Sequence, residues 1–493
     1  STGEPTTGTP TTGEPVPELP GEPFTLGIAS GDPLPDSVIL WTRLAPMPAA
    51  PGGGMPAEVF AVAWEVASDE DFGDIVASDI ADADPKFGHS VHVDVKGLEA
   101  DTWYWYRFKV GGFTSPVGRT RTTPARDAKP ERLNFATACC QNYTDGYFTP
   151  YQHMVKEDID MVIFLGDYIY ESAATGPVRS HGGPEPTTLD EYRVRWGLYK
   201  GDKDLQAAHA HCPWLVIWDD HEVENNYVGD SSQDDLPIAE WLLRRAAAYQ
   251  AYYEHMPLRL PPPGGPDFKI YHGFQWGDLA EFWLLDTRQY RTDQNCMDEP
   301  GQGCDGWDAW DGTVLGEEQE GWLTDGLVMS TAVWKLITQQ IVFSTVNFNG
   351  SLVNFDQWDG YPLARQRLLD FITAEQLENV VVLSGDIHLG GLGDLASLAD
   401  DDESPVVAAE IVTTSLSSGA NVPPEALEAS LGGLPLIKYI NAHSRGYVTH
   451  RVTRELYTIE CFVVDTALEP TSGGKVEAEF FIDAGVPGLR PAP

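Results

Sequence analysis

The chain has 493 residues, 42% of them hydrophobic, which is enough to bury more than one core. Its 75 acidic residues outnumber its 31 Lys and Arg residues, so the formal net charge is −44. Such a charge repels nucleic-acid phosphates and anionic lipid surfaces, and it argues against a nucleic-acid-binding protein. The sequence contains no run of about 18 apolar residues, which excludes a predicted transmembrane helix.

The chain begins with a tract rich in Thr, Gly, Pro and Glu, STGEPTTGTPTTGEPVPELPGEP. A segment of this composition cannot bury enough apolar surface to offset its chain entropy. Residues 1–22 are therefore predicted to form a flexible tether. Because such tethers commonly follow a removed export signal or lipid anchor, we interpret the protein as exported: periplasmic, extracellular or lipid-tethered to the outer surface.

Short segments with alternating polar and apolar residues follow the tether. They include SVHVDV and TWYWYRFKV, and Gly, Asp or Pro separates them at short intervals. Alternation with a period of two is typical of half-buried strands. Residues 23–125 are predicted to form an N-terminal β-sandwich domain similar to an immunoglobulin or fibronectin type III module.

The sequence changes character after the hinge TTPARDAKPER. Continuous apolar runs, among them LNFATA, DMVIFL, WLVIW and NVVVLS, alternate with helical stretches such as LPIAEWLLRRAAAYQAYYEHM. Strands that are apolar throughout are covered on both faces. Residues 126–493 are accordingly predicted to form a larger, layered α/β domain with a buried sheet.

Four of the apolar runs end in polar groups of related chemistry. The endings are Cys139-Cys140-Gln141, Asp167 with Tyr170, Asp219-Asp220-His221-Glu222, and Asp386-Ile387-His388. Ligands of open α/β sheets bind at the carboxyl ends of the strands, so we expect these endings to converge. Clustered carboxylates repel one another unless a multivalent cation compensates their charge. Oxygen ligands favour calcium, magnesium or manganese and a thiolate or phenolate favours a transition ion, so the pattern predicts a metal centre.

The six cysteines divide into three groups. Cys296 and Cys304 flank a short loop and are either a disulfide, as expected in an oxidising compartment, or two free loop thiols. Cys212 and Cys461 stand in apolar surroundings and are predicted to be core residues. Cys139 and Cys140 are adjacent, and a strand directs only one of two neighbours to a given face. Only one of these thiols is therefore expected to face the metal centre, and either could be the ligand.

Several longer motifs carry a resemblance to a known family. They are FATACCQNYTDGYF, GDYIYE, TLDEYRVRWGLYKGDKDLQAAHAHCPWLVIWDDHEVENNY, RRAAAYQAYYEHMPLR, LLDTRQYRTDQ, DQWDGYPLAR and LSGDIH. The chain resembles the PhoD-type alkaline phosphatase family of the calcineurin-like metallophosphoesterases from residue 23 onward. The front segment FTLGIASGDPLPDSVILWTRLAP is similar to the N-terminal sandwich of that family. The resemblance implies an α/β fold of the metallophosphoesterase type, an αββα four-layer sandwich, preceded by the N-terminal β-sandwich.

The resemblance also implies a metal set, one ferric ion (Fe3+) and one or two calcium ions (Ca2+). Matched by motif, the metal ligands are Cys140, Asp167, Tyr170, Asp220, Asn225, Asp386 and His388. Cys140 and Tyr170 match iron ligands, and Asp167 matches the residue that bridges iron and calcium. Asp220 stands where relatives usually have Asn. His221 matches the histidine that assists departure of the leaving group, which makes His221 and Asp167 the expected catalytic residues.

The predicted activity is hydrolysis of phosphate mono- and diesters by attack of a metal-held hydroxide on phosphorus. Arg179 or Arg195 could pair with the substrate phosphate, the alternative being a structural salt bridge. The C-terminal segment reads as paired strands rather than a closing helix, which predicts an open pocket that admits diesters, phospholipids or polymers. Two other functions fit less of the sequence: a phospholipase D-like phosphodiesterase on the same fold, and a non-catalytic calcium- and phosphate-binding surface protein. We expect a monomer.

Overall fold

The structure is a computed structural model that describes residues 19–296, 301, 303–345, 354–399, 401–420 and 423–492. Most of the predicted tether lies outside these ranges. Within them the chain forms three β-sheets and seven α-helices. None of the described helices is both long enough and apolar enough to cross a membrane.

The N-terminal part of the structure consists of short strands, as its alternating sequence predicts. These are β1 (Ile28–Leu34), β2 (Ser37–Arg43), β3 (Phe60–Ala67), β4 (Ile75–Ala83), β5 (Ser90–Lys96), β6 (Trp103–Val110), β7 (Phe113–Thr114) and β8 (Gly118–Arg121). A five-stranded sheet has the order β4-β3-β6-β7, with β8 also paired to β6. Alternate residues of β6, such as Tyr106 and Phe108, are buried against Leu40 of β2 and Val93 of β5. This packing forms the predicted N-terminal β-sandwich.

The remaining elements alternate between strands and helices. The strands are β9 (Arg132–Ala138), β10 (Met161–Phe164), β11 (Trp214–Val216), β12 (His272–Trp276), β13 (Ala280–Leu284), β14 (Trp334–Thr338), β15 (Val380–Ser384), β16 (Gly390–Ala396), β17 (Val406–Val412), β18 (Ile437–Asn441), β19 (Arg445–Thr453), β20 (Leu456–Val464), β21 (Gly474–Asp483) and β22 (Arg490–Pro491). The helices are α1 (Tyr151–Met154), α2 (Leu189–Lys200), α3 (Lys203–His211), α4 (Ile238–His255), α5 (Gly316–Met329), α6 (Pro362–Ala374) and α7 (Pro424–Leu431). Short 3-10 turns lie at Pro51–Gly54, Pro85–Phe87, Trp307–Ala309 and Trp358–Gly360.

The largest sheet joins the two parts of the chain. Its ten strands have the order β22-β21-β20-β19-β9-β10-β11-β1-β2-β5. β1 pairs in parallel with β11 through Gly31 and Trp214, where a Cβ on Gly31 would lie 2.7 Å from the Trp214 carbonyl oxygen. The strands that back the N-terminal sandwich therefore continue the sheet of the larger part. The domain boundary between residues 125 and 126 stays a prediction.

A second sheet of seven strands, in the order β12-β13-β14-β15-β17-β16-β18, packs against the first. Phe135 of β9 meets Phe282 of β13 edge to face across the gap, with ring centroids 5.4 Å apart. Helices α2 and α4 pack on the ten-stranded sheet through residues such as Trp196, and α5 and α6 pack on the seven-stranded sheet through residues such as Leu323. The result is the predicted αββα four-layer sandwich.

The structure also decides one open alternative and confirms two smaller predictions. Cys296 and Cys304 form a disulfide, and Cys212 and Cys461 are buried. The chain beyond Arg445 forms the antiparallel strands β19 to β22 at one end of the large sheet, as the sequence pattern indicates.

Candidate metal centre

The four polar strand endings meet at one edge of the paired sheets. β9, β10 and β11 are parallel neighbours, so their carboxyl ends lie side by side. The turns that follow them are joined directly, since the backbone N–H of Cys140 donates to the Gly166 carbonyl at 3.1 Å. The fourth ending, after β15, comes from the facing sheet and reaches the same place, with the Cys140 sulfur 3.8 Å from the Asp386 carbonyl oxygen.

Unusual backbone conformations turn these side chains inward. Cys140, Asp167, Asp386 and His388 all have φ between 55° and 67°, the left-handed region that residues other than glycine rarely adopt. Such conformations cost about 1 kcal/mol or more each and persist where the surrounding fold enforces them. Gly166, at φ 105°, allows the close approach of two turns, because a Cβ there would lie 2.5 Å from the Cβ of Asp219.

One part of the site combines sulfur, oxygen and nitrogen groups. Ligand atoms of Cys140, Asp167 and His388, all buried, lie within 4.8 Å of one another. The Tyr170 hydroxyl donates to the Asp167 carboxylate at 2.8 Å and lies 2.9 Å from Nε2 of His388. The sulfur of Cys139 contacts instead the carbonyl oxygen of Thr413 at 3.4 Å. The geometry thus places the Cys140 thiol, rather than its neighbour, in this cluster.

The other part of the site consists of carboxylates. Ligand oxygens of Asp167, Asp219, Asp220 and Asp386 lie within 4.8 Å of one another. Asp167 belongs to both parts, so a single carboxylate connects the mixed cluster to the acidic one. Four carboxylates this close repel one another strongly unless positive charge lies among them.

Arg288 supplies part of that positive charge. Its guanidinium is fully buried and donates to Asp219 at 2.5 Å and to Asp356 at 2.6 Å. Its Nη2 atom lies 3.5 Å from an oxygen of Asp220 and 3.6 Å from one of Asp386. One guanidinium cannot neutralise this many carboxylates, and a substantial negative charge remains to be compensated.

The protonation states reflect this excess of acid. Burial raises the pKa of Asp167 well above its usual value, and the nearby carboxylates add to that effect. Burial likewise raises the pKa of Asp386 to about 6, although Arg288 opposes the shift. One oxygen of Asp167 and one of Asp220 are buried without a hydrogen-bond partner among the described residues. Buried carboxylate oxygens without donors are what a metal ion requires of its ligands, so these residues fit a bound cation.

His221 is held beside the cluster by a carboxylate. Its Nδ1 lies 2.7 Å from Glu171, whose other oxygen accepts from the backbone N–H of Asn225 at 2.8 Å. Burial lowers the pKa of His221, but Glu171, Asp220 and Asp167 together outweigh burial and hold the pKa well above its usual value. The Glu171 contact fixes the orientation of His221, and these carboxylates favour its protonated form.

Three of the predicted site residues make other contacts. The side-chain amide of Asn225 donates to Gln233 at 2.8 Å. Arg179 donates to Asp202 at 2.7 Å and to the carbonyl oxygens of Tyr143 and Gly146. Arg195 donates to backbone carbonyls of Tyr170, Ser172 and Pro184. The metal-binding role of Asn225 and the substrate-binding role of Arg179 and Arg195 stay predictions.

Other contributors could not be read from the strand endings. Ser418, in the loop after β17, donates to the Cys140 carbonyl at 2.7 Å and to the Tyr170 hydroxyl at 2.8 Å. In the same loop the Gly419 carbonyl lies 2.7 Å from Nδ1 of His388, which directs Nε2 of that ring toward the cluster. Neither Ser418 nor Gly419 lies next to a strand ending in the sequence. Glu171, which orients His221, does, since it follows Tyr170 directly.

Comparison with known proteins agrees with this geometry. The family model described as PhoD-like phosphatase matches residues 135–461, and that of the PhoD-like phosphatase N-terminal domain matches residues 11–124. The chain is 46% identical to alkaline phosphatase D of Bacillus subtilis (strain 168) over 486 residues, covering 96% of this chain and 83% of that protein. The chain belongs to the PhoD-like phosphatase family. The expected family is confirmed.

Two solved structures match the fold of this PhoD-like phosphatase. The structure of PhoD matches with a TM-score of 0.93 and 45% identity, covering 97% of this chain and 93% of that one. The purple acid phosphatase PPD1 from yellow lupin seeds matches with a TM-score of 0.58 and 12% identity, covering 92% of this chain and 74% of that one. At that identity the second match shows a shared fold only.

Proposed function

We propose that this PhoD-like phosphatase hydrolyses phosphate mono- and diesters at the metal centre formed by the four strand endings. The observation that carries the proposal is the position of Asp167, which belongs both to the thiol-containing cluster and to the carboxylate cluster. Two adjacent clusters that share one carboxylate are suited to hold two cations next to a phosphoryl group. The relatives named alkaline phosphatase D and PhoD support the same chemistry.

The two clusters favour different metals. Thiol, phenol and imidazole groups of Cys140, Tyr170 and His388 suit a transition ion, which we propose is ferric iron. The carboxylates of Asp220 and Asp386 suit calcium, which prefers oxygen ligands. When bound, such ions lower the pKa of water and compensate the charge of the phosphoryl oxygens. The shared Asp167 is then the residue on which both ions depend.

The chain itself supplies the proton for the leaving group. Glu171 fixes Nδ1 of His221 and favours the protonated form of the ring, so the remaining N–H is placed to donate to the oxygen that departs from phosphorus. A carboxylate that holds a catalytic histidine in one orientation also stabilises its charged form. Glu171 therefore acts through His221, as a positioning residue.

The activity is tested with Asp167→Asn, which keeps the shape of the side chain and removes its charge. We expect hydrolysis of p-nitrophenyl phosphate and bis-p-nitrophenyl phosphate to fall at least a thousandfold. Asp158→Asn is the matched control, because Asp158 is exposed and pairs with Arg132 at 2.9 Å. If Asp167→Asn retained wild-type turnover, the proposed centre would be wrong.

The iron assignment is tested separately by colour. A tyrosinate bound to ferric iron absorbs visible light, so the purified protein should be coloured and Tyr170→Phe should lose the tyrosinate absorption band. Elemental analysis should then give iron and calcium in the wild type. A colourless and fully active wild-type protein that contained only zinc or magnesium would contradict the proposed ligand set.

We also propose that the protein is exported. The disulfide between Cys296 and Cys304 supports this, because disulfides persist in oxidising compartments. A free-thiol count on the native protein purified from its source distinguishes the two states of this pair. Monomeric assembly and the use of phospholipid or polymeric substrates are proposed on the sequence alone.

A further inference from the structure

We propose that Arg445 contacts the phosphate group of the substrate and sets the affinity of the site for it. Arg445 is the first residue of β19 and is partly exposed. It belongs to none of the motifs that end in metal-binding groups. This inference rests on the phosphoesterase function proposed above and adds a binding residue to it.

The strand pairing brings Arg445 to the thiol side of the centre. β19 runs antiparallel to β9 as far as Val448 opposite Thr137, and beyond that pair Ser415 of the loop after β17 forms a bridge with Cys139. The loop after β17 enters between them: Gly446 donates its backbone N–H to the Ser415 carbonyl at 3.1 Å. Arg445 is thus separated from the ligand thiol by one segment of chain.

That segment also contacts the metal-binding groups. It includes Ser418, which donates to the Tyr170 hydroxyl, and Gly419, whose carbonyl lies 2.7 Å from Nδ1 of His388. Arg445 therefore lies beside the loop that holds both Tyr170 and His388. A side chain in this position is at the rim of the centre without being a ligand.

The guanidinium of Arg445 retains free donors. Its Nη1 donates to the backbone carbonyls of Ser444 at 2.9 Å and Ala442 at 3.5 Å. Its Nε and Nη2 have no hydrogen-bond partner among the described residues, and no described carboxylate forms a salt bridge with it. Arg288 and Arg195, by contrast, are committed to carboxylates and to backbone carbonyls.

Electrostatic effects agree with this placement. Burial lowers the pKa of Arg445, while Asp145, Cys140 and Tyr170 oppose that shift. The carboxylate of Asp145 is already used, since it accepts from the backbone N–H of Gly419 at 2.8 Å. Arg445 therefore lies within electrostatic reach of Cys140 and Tyr170 and forms no salt bridge with a described carboxylate.

The free atoms match the chemistry of phosphate. Nε and Nη2 form one edge of the planar guanidinium and can donate two parallel hydrogen bonds to two phosphate oxygens. A charge-assisted contact of this kind changes affinity by roughly tenfold to a hundredfold. A monoester offers more anionic oxygens than a diester, so we expect the loss of Arg445 to weaken monoester binding more.

The test compares Arg445→Gln and Arg445→Lys with the wild type. Arg451→Gln is the matched control, because Arg451 lies six residues along the same strand, on the same face, and pairs with Glu460 at 2.9 Å. KM and kcat are measured for p-nitrophenyl phosphate and its bis ester, together with the competitive inhibition constant of inorganic phosphate and the metal content.

We expect Arg445→Gln to raise KM for the monoester and the phosphate inhibition constant at least tenfold, with unchanged metal content. Arg445→Lys should give an intermediate rise, and Arg451→Gln should equal the wild type. An inhibition constant within twofold of the wild type in Arg445→Gln would overturn the inference. If Arg445→Gln failed to fold, Arg445→Lys would decide, with a rise of less than threefold counting against it. A wild-type protein that hydrolysed neither ester would refute the proposed function instead.

Discussion

Replacing Arg288 with methionine removes a buried guanidinium that lies among the carboxylates of the metal centre. Methionine replaces the aliphatic stem of arginine without its charge, so the change leaves the carboxylate of Asp219 buried without its donor, while Asp356 keeps its ion pair with Arg291 at 2.7 Å. Asp220 and Asp386 also lose a cation 3.5 and 3.6 Å away. We expect a large loss of folding stability, because buried charges without a counter-charge are costly.

The size of that loss follows from the contacts. At 2.5 and 2.6 Å, each of the two shortest ion pairs of Arg288 is worth roughly 6 kcal/mol of attraction in a medium of effective dielectric constant about 20. Much of this is offset by the cost of removing the guanidinium from water. Measured losses for one partner of a buried ion pair are about 3–5 kcal/mol, and that is the decrease we expect in the free energy of unfolding.

The assay is urea unfolding followed by tryptophan fluorescence, with a chelator present so that added metal does not replace the lost charge. The shift of the midpoint multiplied by the slope gives the change in stability. Arg367→Met is the control, because the side chain of Arg367 is 41% exposed and its ion pairs are worth at most about 1 kcal/mol. If Arg288→Met cost no more than this control, the electrostatic account of the centre would be incorrect.

Three further predictions concern the backbone, the acid response and the proton donor. Gly166→Ala should abolish activity, because a Cβ there would lie 2.6 Å from the backbone nitrogen of Asp219, whereas Gly183→Ala, with no neighbour within 4 Å, should be fully active. His450 is buried, which lowers its pKa from 6.5 to about 3, so the unfolded chain takes up a proton that the folded chain does not. The free energy of unfolding therefore decreases as pH falls below 6.5, by up to about 1.4 kcal/mol per pH unit. A His450→Gln variant whose free energy of unfolding declined as steeply as that of the wild type would contradict this. Glu171→Gln should lower kcat more than tenfold with unchanged metal content, and a change confined to KM would argue against its action through the catalytic imidazole.

The strand endings were predictable because the physics that places them is local. A buried apolar run followed by a carboxylate, a thiol or an imidazole identifies both a strand and a polar group at its carboxyl end. The endings that contain Cys140, Asp167, Asp220 and His388 were found in this way, whereas the choice of Cys140 over Cys139 came from the family resemblance. The structure brings these four residues together. The alternation in β6 was equally informative, since alternate residues of that strand are buried.

The groups that support the centre carry no such local pattern. Arg288 follows a strand of the second sheet and reaches the carboxylates only because the two sheets pack face to face. Ser418 and Arg445 come from a loop and a strand start whose positions depend on long-range pairing. The sequence also does not show that the N-terminal sandwich and the larger part share a sheet. The two are joined by one pair of residues, Gly31 and Trp214, which lie far apart in the sequence.

That shared sheet has a consequence for how the protein can be divided. A chain that started at residue 126 would lack β1, β2 and β5 and would leave β11 as an unpaired edge beside the turn that carries Asp220. Exposed edges of this kind recruit strands from other molecules. The first hundred residues thus cover the edge of β11, and we expect a chain without them to self-associate through that edge.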